Sequence, residues 1–242
     1  MNELAQSGKR VLVTGGSGDI GRALCAAFAA RGARVAFTWF TNHEGRDATR
    51  RAVLDAGGAE PLAIRANLRG KGAAAEVAEQ ALAAFGAVDV FFSNAASGVL
   101  KPAGELTAKH WAWTMDINAK AFLELTNLLA PTMPEGGRIM ALTSAGATRA
   151  IENYAVIGAS KAATESLVRH FAQALGPKGI TVNAVCPGVV DTGALAHFPN
   201  REQLLEDMAR WLRPGGVLLL GVVSKRSFHD LTERLRARRG GP

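Results

Sequence analysis

Tyrosine is nearly absent from this chain, since Tyr154 is the single one among 242 residues. Any phenol that takes part in chemistry must therefore be this one. Cysteine is also scarce: Cys25 and Cys186 stand far apart without metal-ligand spacing, which predicts two free thiols in a reducing compartment and no metal site. No uncharged apolar run approaches the roughly 18 residues of a membrane span. The first ten residues also lack the apolar segment of a signal peptide, so we expect a cytoplasmic location.

The formal net charge of +7 is concentrated at one end of the chain. Residues 224–242 contain six basic and two acidic side chains, a difference of +4. This pattern is typical of a solvated helix face, and the alternative is contact with an acidic partner or an anionic phosphate. Aromatic residues do not alternate with the basic ones, so nucleic-acid binding is not expected.

Short apolar runs alternate with longer amphipathic stretches along most of the chain, which predicts a single α/β domain spanning residues 1–242. Its core is a doubly wound, Rossmann-like parallel sheet, because apolar runs flanked by helices suit strands buried on both faces. The predicted strands are 10–14, 34–38, 61–65, 88–93, 138–143 and 180–185. The predicted helices are 19–31, 44–56, 73–85, a long one from about 107 to 129, and 154–175.

A glycine-rich turn, residues 15–18, follows the first strand and opens a helix. Backbone amides and the positive end of the helix dipole suit a pyrophosphate at this place. The end of the second strand carries no carboxylate that would bind an adenosine ribose, and His43 and Arg46 lie just beyond it. These features favour NADPH, with NADH as the alternative.

Tyr154 stands seven residues before Lys161 at the start of an alanine-rich helical pattern. Seven residues span about 700° of helix rotation, so both side chains share one face about 10 Å apart along the axis. A nearby cation is expected to stabilise the phenolate and lower the tyrosine pKa. The alternative is a helix start with one interfacial aromatic residue and one surface lysine.

Several motifs together resemble the short-chain dehydrogenase/reductase family over about residues 8–207. They are T-G-G-S-G-D-I-G (14–21), S-N-A-A-S (93–97), D-I-N-A-K (116–120), the set Ser144, Tyr154 and Lys161, and N-A-V-C-P-G (183–188). Most members place tyrosine four residues before lysine, where this chain has Ile157. The seven-residue spacing resembles enoyl-acyl-carrier-protein reductases, in particular those of type III.

The resemblance implies a role for each matching residue. The catalytic set would be Tyr154 as hydrogen-bond or proton donor to an enolate oxygen, Lys161 at the nicotinamide ribose, Ser144, and Asn118. The implied cofactor-binding residues are Gly15, Ser17, Gly18, Asp19, Ile20, Gly21, Thr38, Asn67, Leu68, Asn94, Ala95, Lys161, Pro187, Gly188, Val190 and Thr192. The resemblance also implies a homo-oligomer, either a dimer or a tetramer.

Two positions depart from the family pattern. Asp19 occupies the middle glycine of the phosphate turn, where a carboxylate would repel pyrophosphate unless it serves as the N-cap of the following helix. This predicts weaker NADPH binding than in an Asp19→Gly variant. Residues 208–242 do not follow the family ending; 217–223 are apolar enough for a strand and 228–239 suit a helix.

The leading functional hypothesis is NADPH-dependent reduction of the C=C bond of an enoyl thioester linked to acyl carrier protein or coenzyme A. A repositioned phenol suits this reaction, because hydride attacks two carbons away from the thioester carbonyl. The alternatives are a carbonyl reductase of a polyketide or other secondary metabolite, and a catalytically impaired binding or scaffold protein. Candidate walls of an acyl site are Trp111, Trp113, Leu195, His197 and Phe198.

Overall fold

The computed structural model describes residues 6–190 and 192–193, and these contain one parallel sheet flanked by helices. The strands are β1 (Arg10–Val13), β2 (Arg34–Trp39), β3 (Leu62–Arg65), β4 (Val90–Ser93), β5 (Arg138–Leu142) and β6 (Thr181–Val185). The helices are α1 (Asp19–Ala29), α2 (His43–Asp55), α3 (Ala73–Phe85), α4 (Ala108–Met115), α5 (Ala121–Leu129) and α6 (Ala155–Leu175). The predicted doubly wound sheet is confirmed: its six strands follow the order β3-β2-β1-β4-β5-β6 and are all parallel.

Alternation along the strands divides the buried side chains between two layers. Leu12 points into a cluster formed with α3, α5 and α6, whereas its neighbours Val11 and Val13 point into a second cluster against α1 and α2. Because helices cover both faces, the strands are predominantly apolar, and most of their polar residues stand at a strand end.

The predicted long helix between residues 107 and 129 is present, with an interruption at its centre. Thr107 caps α4 by accepting a hydrogen bond from the amide of His110. A π-helical turn, Asp116–Lys120, then joins α4 to α5, so that the chain is helical without a gap from 108 to 129. The turn carries Asn118, and π-turns of this kind are frequent at functional sites.

Each predicted strand differs from the observed one by one or two residues at one end, and two of these differences have local reasons. β3 begins at Leu62 rather than at residue 61, because Pro61 has no N–H to donate to the neighbouring strand. β4 begins at Val90 rather than at residue 88, since the Asp89 carboxylate binds the amide and guanidinium of Arg10 at the start of β1.

The chain divides into two compact units, residues 1–186 and 187–242. The first contains all six strands of the described sheet, and of the second only 187–190 and 192–193 are described. A single domain over 1–242 therefore stays a prediction. Several predictions concern residues outside the described ones. They are the strand 217–223, the helix 228–239, the basic segment 224–242 and the acyl-wall residues Leu195, His197 and Phe198. Within the part described, no helix has the length and apolarity to cross a bilayer.

Candidate active site

The carboxyl ends of the parallel strands bring most of the predicted site residues to one edge of the sheet. The strand order reverses between β1 and β4, and ligands of doubly wound sheets bind at such a reversal. The glycine turn follows β1, Asn94 follows β4, and Ser144 follows β5. Tyr154 and Lys161 reach the same edge from α6, because the loop that precedes this helix leaves β5.

The turn after β1 permits a close backbone approach that only glycine allows. Gly15 has a φ of 68°, and a Cβ added to it would lie 2.7 Å from Ala95 Cα. A Cβ on Gly21 would lie 2.3 Å from the carbonyl oxygen of Gly15. Both distances are shorter than any real contact, so these two glycines of the motif fix the shape of the turn.

Thr38 and Asn94 hold the turn from its two sides. Thr38 Oγ1 accepts a 3.0 Å hydrogen bond from the Gly15 amide, and the Thr38 carbonyl accepts one of 2.8 Å from Gly16. Asn94 Nδ2 donates to the carbonyl oxygens of Thr14 and Gly15 at 2.9 and 3.0 Å. Thr38 is buried, so its side chain shapes the phosphate turn from beneath.

The end of α1 fits the phosphates of a dinucleotide. The amide of Arg22 donates to the Gly18 carbonyl at 2.8 Å, which makes it the first amide satisfied within the helix. The amides of Ile20 and Gly21 precede it in the first turn, where a helix provides no intrahelical acceptor. With the turn free of side chains at Gly15 and Gly18, the geometry suits an anion at the positive end of the helix dipole.

Asp19 is not the N-cap that the sequence suggested. Gly18 occupies that position in an extended conformation without a side-chain cap, and Asp19 is already the first helical residue. Its carboxylate instead forms an ion pair with Arg22, three residues further along the same helix face. The carboxylate in the phosphate turn therefore has a cation beside it, and sequence reasoning missed this role of Arg22 although the i, i+3 spacing could have indicated it.

Positive charge surrounds Trp39 at the end of β2. The guanidinium carbons of Arg46 and Arg65 lie 4.7 and 5.6 Å from the centre of the indole ring, and His43 packs edge-on at 4.8 Å. Arg46 also binds the carboxylate of Asp47 through two nitrogens. No carboxylate lies at the end of β2 itself, where an adenosine ribose would be recognised.

Asn67 and Leu68, which follow β3, differ in what they offer a ligand. Asn67 is exposed, and its side-chain oxygen accepts a 3.3 Å hydrogen bond from the amide of Arg69. Leu68 is 8% exposed and its side chain belongs to the core packed against α3. Leu68 therefore offers a ligand only its main chain, and contact of Asn67 or Leu68 with a cofactor stays a prediction.

The Tyr154 hydroxyl donates a 3.3 Å hydrogen bond to Ser144 Oγ. Its ring packs on Gly146, where an added Cβ would lie 2.5 Å from two ring carbons. Burial raises the pKa of Tyr154, the bond to Ser144 lowers it by less, and a negative charge on Cys186 would raise it further. The expected lowering of this pKa by Lys161 is wrong for this structure, and at neutral pH Tyr154 is an uncharged phenol able to donate its proton.

Lys161 is directed at the sheet. Its Nζ donates a 2.8 Å hydrogen bond to the carbonyl oxygen of Leu142, the last residue of β5. Lys161 is 6% exposed, and this burial lowers the pKa of its ammonium group to about 8. The two-turn separation from Tyr154 and this orientation explain why the cation does not depress the phenol's pKa.

Asn118 links three elements around the site. Its side-chain oxygen accepts from the Ser97 amide at 2.9 Å, and its Nδ2 donates to the Ser97 carbonyl and to Ser160 Oγ at 3.0 and 2.8 Å. The asparagine therefore fixes the loop after β4 against α6, next to Lys161. Sequence reasoning assigned no role to Ser97, which ends the motif 93–97, or to Ser160, which directly precedes Lys161.

Ile157 occupies the usual position of the family tyrosine. Its side chain packs against Gly98 in the loop after β4. A Cβ added to Gly98 would lie 2.2 Å from Ile157 Cγ1. Tyr154 packs on the loop after β5, so the two residues face different walls of the site. The phenol of Tyr154 therefore lies on the side of the site formed by the loop after β5.

The two tryptophans proposed as acyl walls are exposed on α4. Trp111 is 53% and Trp113 38% exposed. The Trp113 indole donates to Ser97 Oγ at 3.0 Å, and the Arg69 guanidinium lies 4.8 Å from the centre of a Trp113 ring. Trp113 thus adjoins the loop after β4.

Four predicted cofactor-binding residues, Pro187, Gly188, Val190 and Thr192, belong to the second unit. Gly188 has a left-handed backbone with a φ of 74°, which explains the glycine after Pro187. Their contact with a cofactor stays a prediction.

Comparison with known proteins identifies the family. Residues 16–216 match the family model described as "Enoyl-(Acyl carrier protein) reductase". The chain is 35% identical over 191 residues to 1-cyclohexenylcarbonyl-CoA reductase of Streptomyces collinus, covering 79% of this chain and 68% of that protein. It is 33% identical over 203 residues to a hydroxynaphthalene reductase-like protein of Metarhizium guizhouense, covering 80% and 74% of the two chains.

A solved structure supports the same conclusion. The short chain dehydrogenase from Burkholderia cenocepacia J2315, crystallised in complex with NADP, superposes with a TM-score of 0.81 at 32% identity. The match covers 100% of this chain and 93% of that one. The chain therefore belongs to the short-chain dehydrogenase/reductase family and is an oxidoreductase.

Proposed function

We propose that this chain is an NADPH-dependent reductase of the C=C bond of an enoyl thioester, linked to acyl carrier protein or coenzyme A. The observation that carries the proposal is the place of its only phenol. Tyr154 lies against Ser144 and the loop after β5, while Ile157 fills the place four residues before Lys161. The family model and the reductase of Streptomyces collinus, an enoyl-CoA reductase by its name, support the same reaction class.

The proton state of Tyr154 suits this chemistry. When bound, NADPH supplies a hydride to the β-carbon of the enoyl group, and negative charge then appears on the thioester oxygen. A neutral phenol, kept so by burial, donates a hydrogen bond to that oxygen and stabilises charge that exists only as the reaction proceeds. A proton added at the α-carbon would complete the reduction, so that hydride and proton together would convert the C=C bond to a C–C bond and NADP⁺ would be the oxidised product.

Lys161 and Asn118 would act on the surroundings of the phenol. Lys161 would bind the nicotinamide ribose, and its bond to Leu142 anchors α6 beside the end of β5. Asn118 would act as a positioning residue, because its side chain is occupied in joining Ser97 and Ser160. Ser144 orients the Tyr154 hydroxyl in this scheme.

The preference for NADPH rests on the charges around Trp39. Arg46 and Arg65 converge there beside His43, and a 2′-phosphate on the adenosine ribose would gain from the two guanidinium groups. The NADP-bound structure from Burkholderia cenocepacia supports the choice within the family. NADH would bind the same turn without that contribution.

A second candidate function is reduction of a ketone in a polyketide or related metabolite. The Tyr154–Ser144 pair favours it, because a phenol and a serine hydroxyl also polarise a ketone oxygen. The hydroxynaphthalene reductase-like relative points in the same direction. A non-catalytic scaffold is disfavoured, since Gly15 and Gly21 keep the tight turn after β1 and Asp19 is paired with Arg22.

The partners and setting follow from the proposed substrate. We propose an acyl chain on an acidic carrier protein as the natural substrate form, a homo-oligomeric enzyme, and a cytoplasmic site of action. The place of the reaction in fatty acid biosynthesis is part of this proposal.

One assay separates the candidates. NADPH oxidation is followed at constant enzyme concentration with crotonyl-CoA and acetoacetyl-CoA in parallel. Turnover of crotonyl-CoA alone supports the enoyl reductase, and turnover of acetoacetyl-CoA alone supports the carbonyl reductase. Turnover of neither, together with no NADPH binding, would leave the scaffold.

A further inference from the structure

We propose that Arg22 is a positioning residue that holds the Asp19 carboxylate away from the phosphate-binding end of α1. The inference rests on the proposed use of NADPH and adds a residue to its binding site. It explains how a phosphate turn with an acid in place of a glycine remains able to bind a dinucleotide.

The Asp19 carboxylate and the phosphates of a dinucleotide are both attracted to the N-terminus of α1. A carboxylate in the first turn of a helix is attracted by the terminal amides and by the helix dipole. The phosphates of a dinucleotide are attracted by the same groups. Asp19 is the first residue of α1, so a carboxylate turned toward the helix end would compete with the cofactor.

Arg22 draws that carboxylate along the flank of the helix. Residues three apart share one helix face, and an Arg22 Nη2 nitrogen binds Asp19 Oδ1. The Arg22 backbone is fixed within the first turn by its bond to Gly18, so the guanidinium acts from a defined origin. The Asp19 side chain is 33% exposed and that of Arg22 26%, so solvent screens this ion pair less than a fully exposed one.

A direct role for Arg22 makes a different prediction. A guanidinium that simply attracts phosphate contributes the same factor to affinity whether residue 19 is charged or not. A guanidinium that restrains the Asp19 carboxylate matters only while that carboxylate is present. The two roles are therefore distinguished by whether the substitutions act independently.

The test is the dissociation constant of NADPH, measured by cofactor fluorescence, for four proteins: wild type, Asp19→Asn, Arg22→Met and the double variant. We expect Arg22→Met to weaken binding about tenfold in the presence of Asp19 and about twofold or less with asparagine there. The resulting fivefold coupling lies within the range of contacting residues. Arg31→Met removes the same charge beyond the other end of α1, where Arg31 binds the Ala27 carbonyl, and should leave the constant unchanged.

An equal weakening in both backgrounds, or no weakening in either, would overturn the inference. Thermal unfolding of each variant checks that the fold is kept, and Arg22→Lys should restore most of the affinity because it keeps a cation at this site. A wild-type protein that binds NADPH with this coupling but reduces no enoyl thioester would remove only the proposed reaction. A wild-type protein that binds no NADPH would remove the inference.

Discussion

The amino group of Lys161 lies 2.8 Å from the carbonyl oxygen of Leu142 and donates its hydrogen bond there. This contact ties the second turn of α6 to the last residue of β5, two residues before Ser144. It also directs the cation toward the sheet, and the phenol of Tyr154 keeps its proton because burial dominates its pKa. The site thus combines a neutral hydrogen-bond donor with a buried ammonium whose pKa is about 8.

Replacing Tyr154 with phenylalanine removes the only phenol and keeps the ring that packs on Gly146. We expect kcat for the enoyl thioester to fall by about 10²- to 10³-fold, as for the loss of one donor to a developing oxyanion. The dissociation constant of NADPH should change by less than about twofold. Steady-state kinetics and a fluorescence titration measure the two quantities, and undiminished turnover would end the catalytic role of Tyr154.

Replacing Lys161 with methionine should raise stability at pH 7. With the pKa of Lys161 lowered from 10.5 to about 8 by burial, keeping the ammonium in the folded state costs about 3 kcal/mol. Loss of the bond to Leu142 offsets about 1 kcal/mol. The variant is therefore expected to be about 2 kcal/mol more stable by urea unfolding, and to bind NADPH more weakly.

The sign of the pH dependence follows from the same lowered pKa. Between about pH 8 and pH 10.5 the unfolded chain carries a proton on Lys161 that the folded chain has lost. The stability of the wild type therefore rises relative to Lys161→Met through that window. The difference in unfolding free energy between Lys161→Met and the wild type at pH 7 should largely disappear at pH 9.5. A difference that stays constant, or a variant less stable at pH 7, would contradict the assignment.

The contact between Gly98 and Ile157 predicts a steric effect. A Cβ on Gly98 would lie 2.2 Å from Ile157 Cγ1, so Gly98→Ala should destabilise the fold by about 1–3 kcal/mol. Adding Ile157→Ala should recover part of that loss. The matched control is Gly104→Ala, where a Cβ meets nothing within 4 Å. Equal unfolding free energies for the two glycine variants would refute the packing.

Cofactor preference should depend on Arg65 beside Trp39. We expect Arg65→Gln to weaken NADPH binding by about fivefold, because a cation near the 2′-phosphate is lost, and to change NADH binding little. Arg50→Gln serves as the control, since Arg50 is paired with Glu60 on the neighbouring helix surface. The result would be contradicted by a wild type that prefers NADH, or by equal losses for both cofactors.

The fold was predictable because its signals are local and repeated. Every predicted strand from 10–14 to 180–185 has its counterpart in β1 to β6, since apolar runs between amphipathic helices leave little choice of architecture. The boundaries shifted where single contacts intervened, as at Asp89, which binds Arg10 across 79 positions of sequence. Periodicity carries no information about such distant pairs.

The site was predictable in its members and less so in their interactions. Motif spacing identified Tyr154, Ser144, Lys161 and Asn118, and the structure brings Tyr154 to Ser144 and Lys161 to the end of β5. Proximity along a helix suggested that Lys161 would lower the pKa of Tyr154, but the direction of a side chain and its burial decide such a shift. The same holds for Asp19, whose partner Arg22 depends on rotamers within one helical turn.

Reduction of crotonyl-CoA with NADPH deuterated at the transferable position, by the wild type and Tyr154→Phe in parallel, shows which bond the enzyme reduces. The product is analysed by mass spectrometry and NMR. We expect butyryl-CoA with one deuterium at C3, formed at least about 10²-fold more slowly by the variant. Formation of no butyryl-CoA, while acetoacetyl-CoA is converted to deuterated 3-hydroxybutyryl-CoA, would contradict the proposed enoyl reduction.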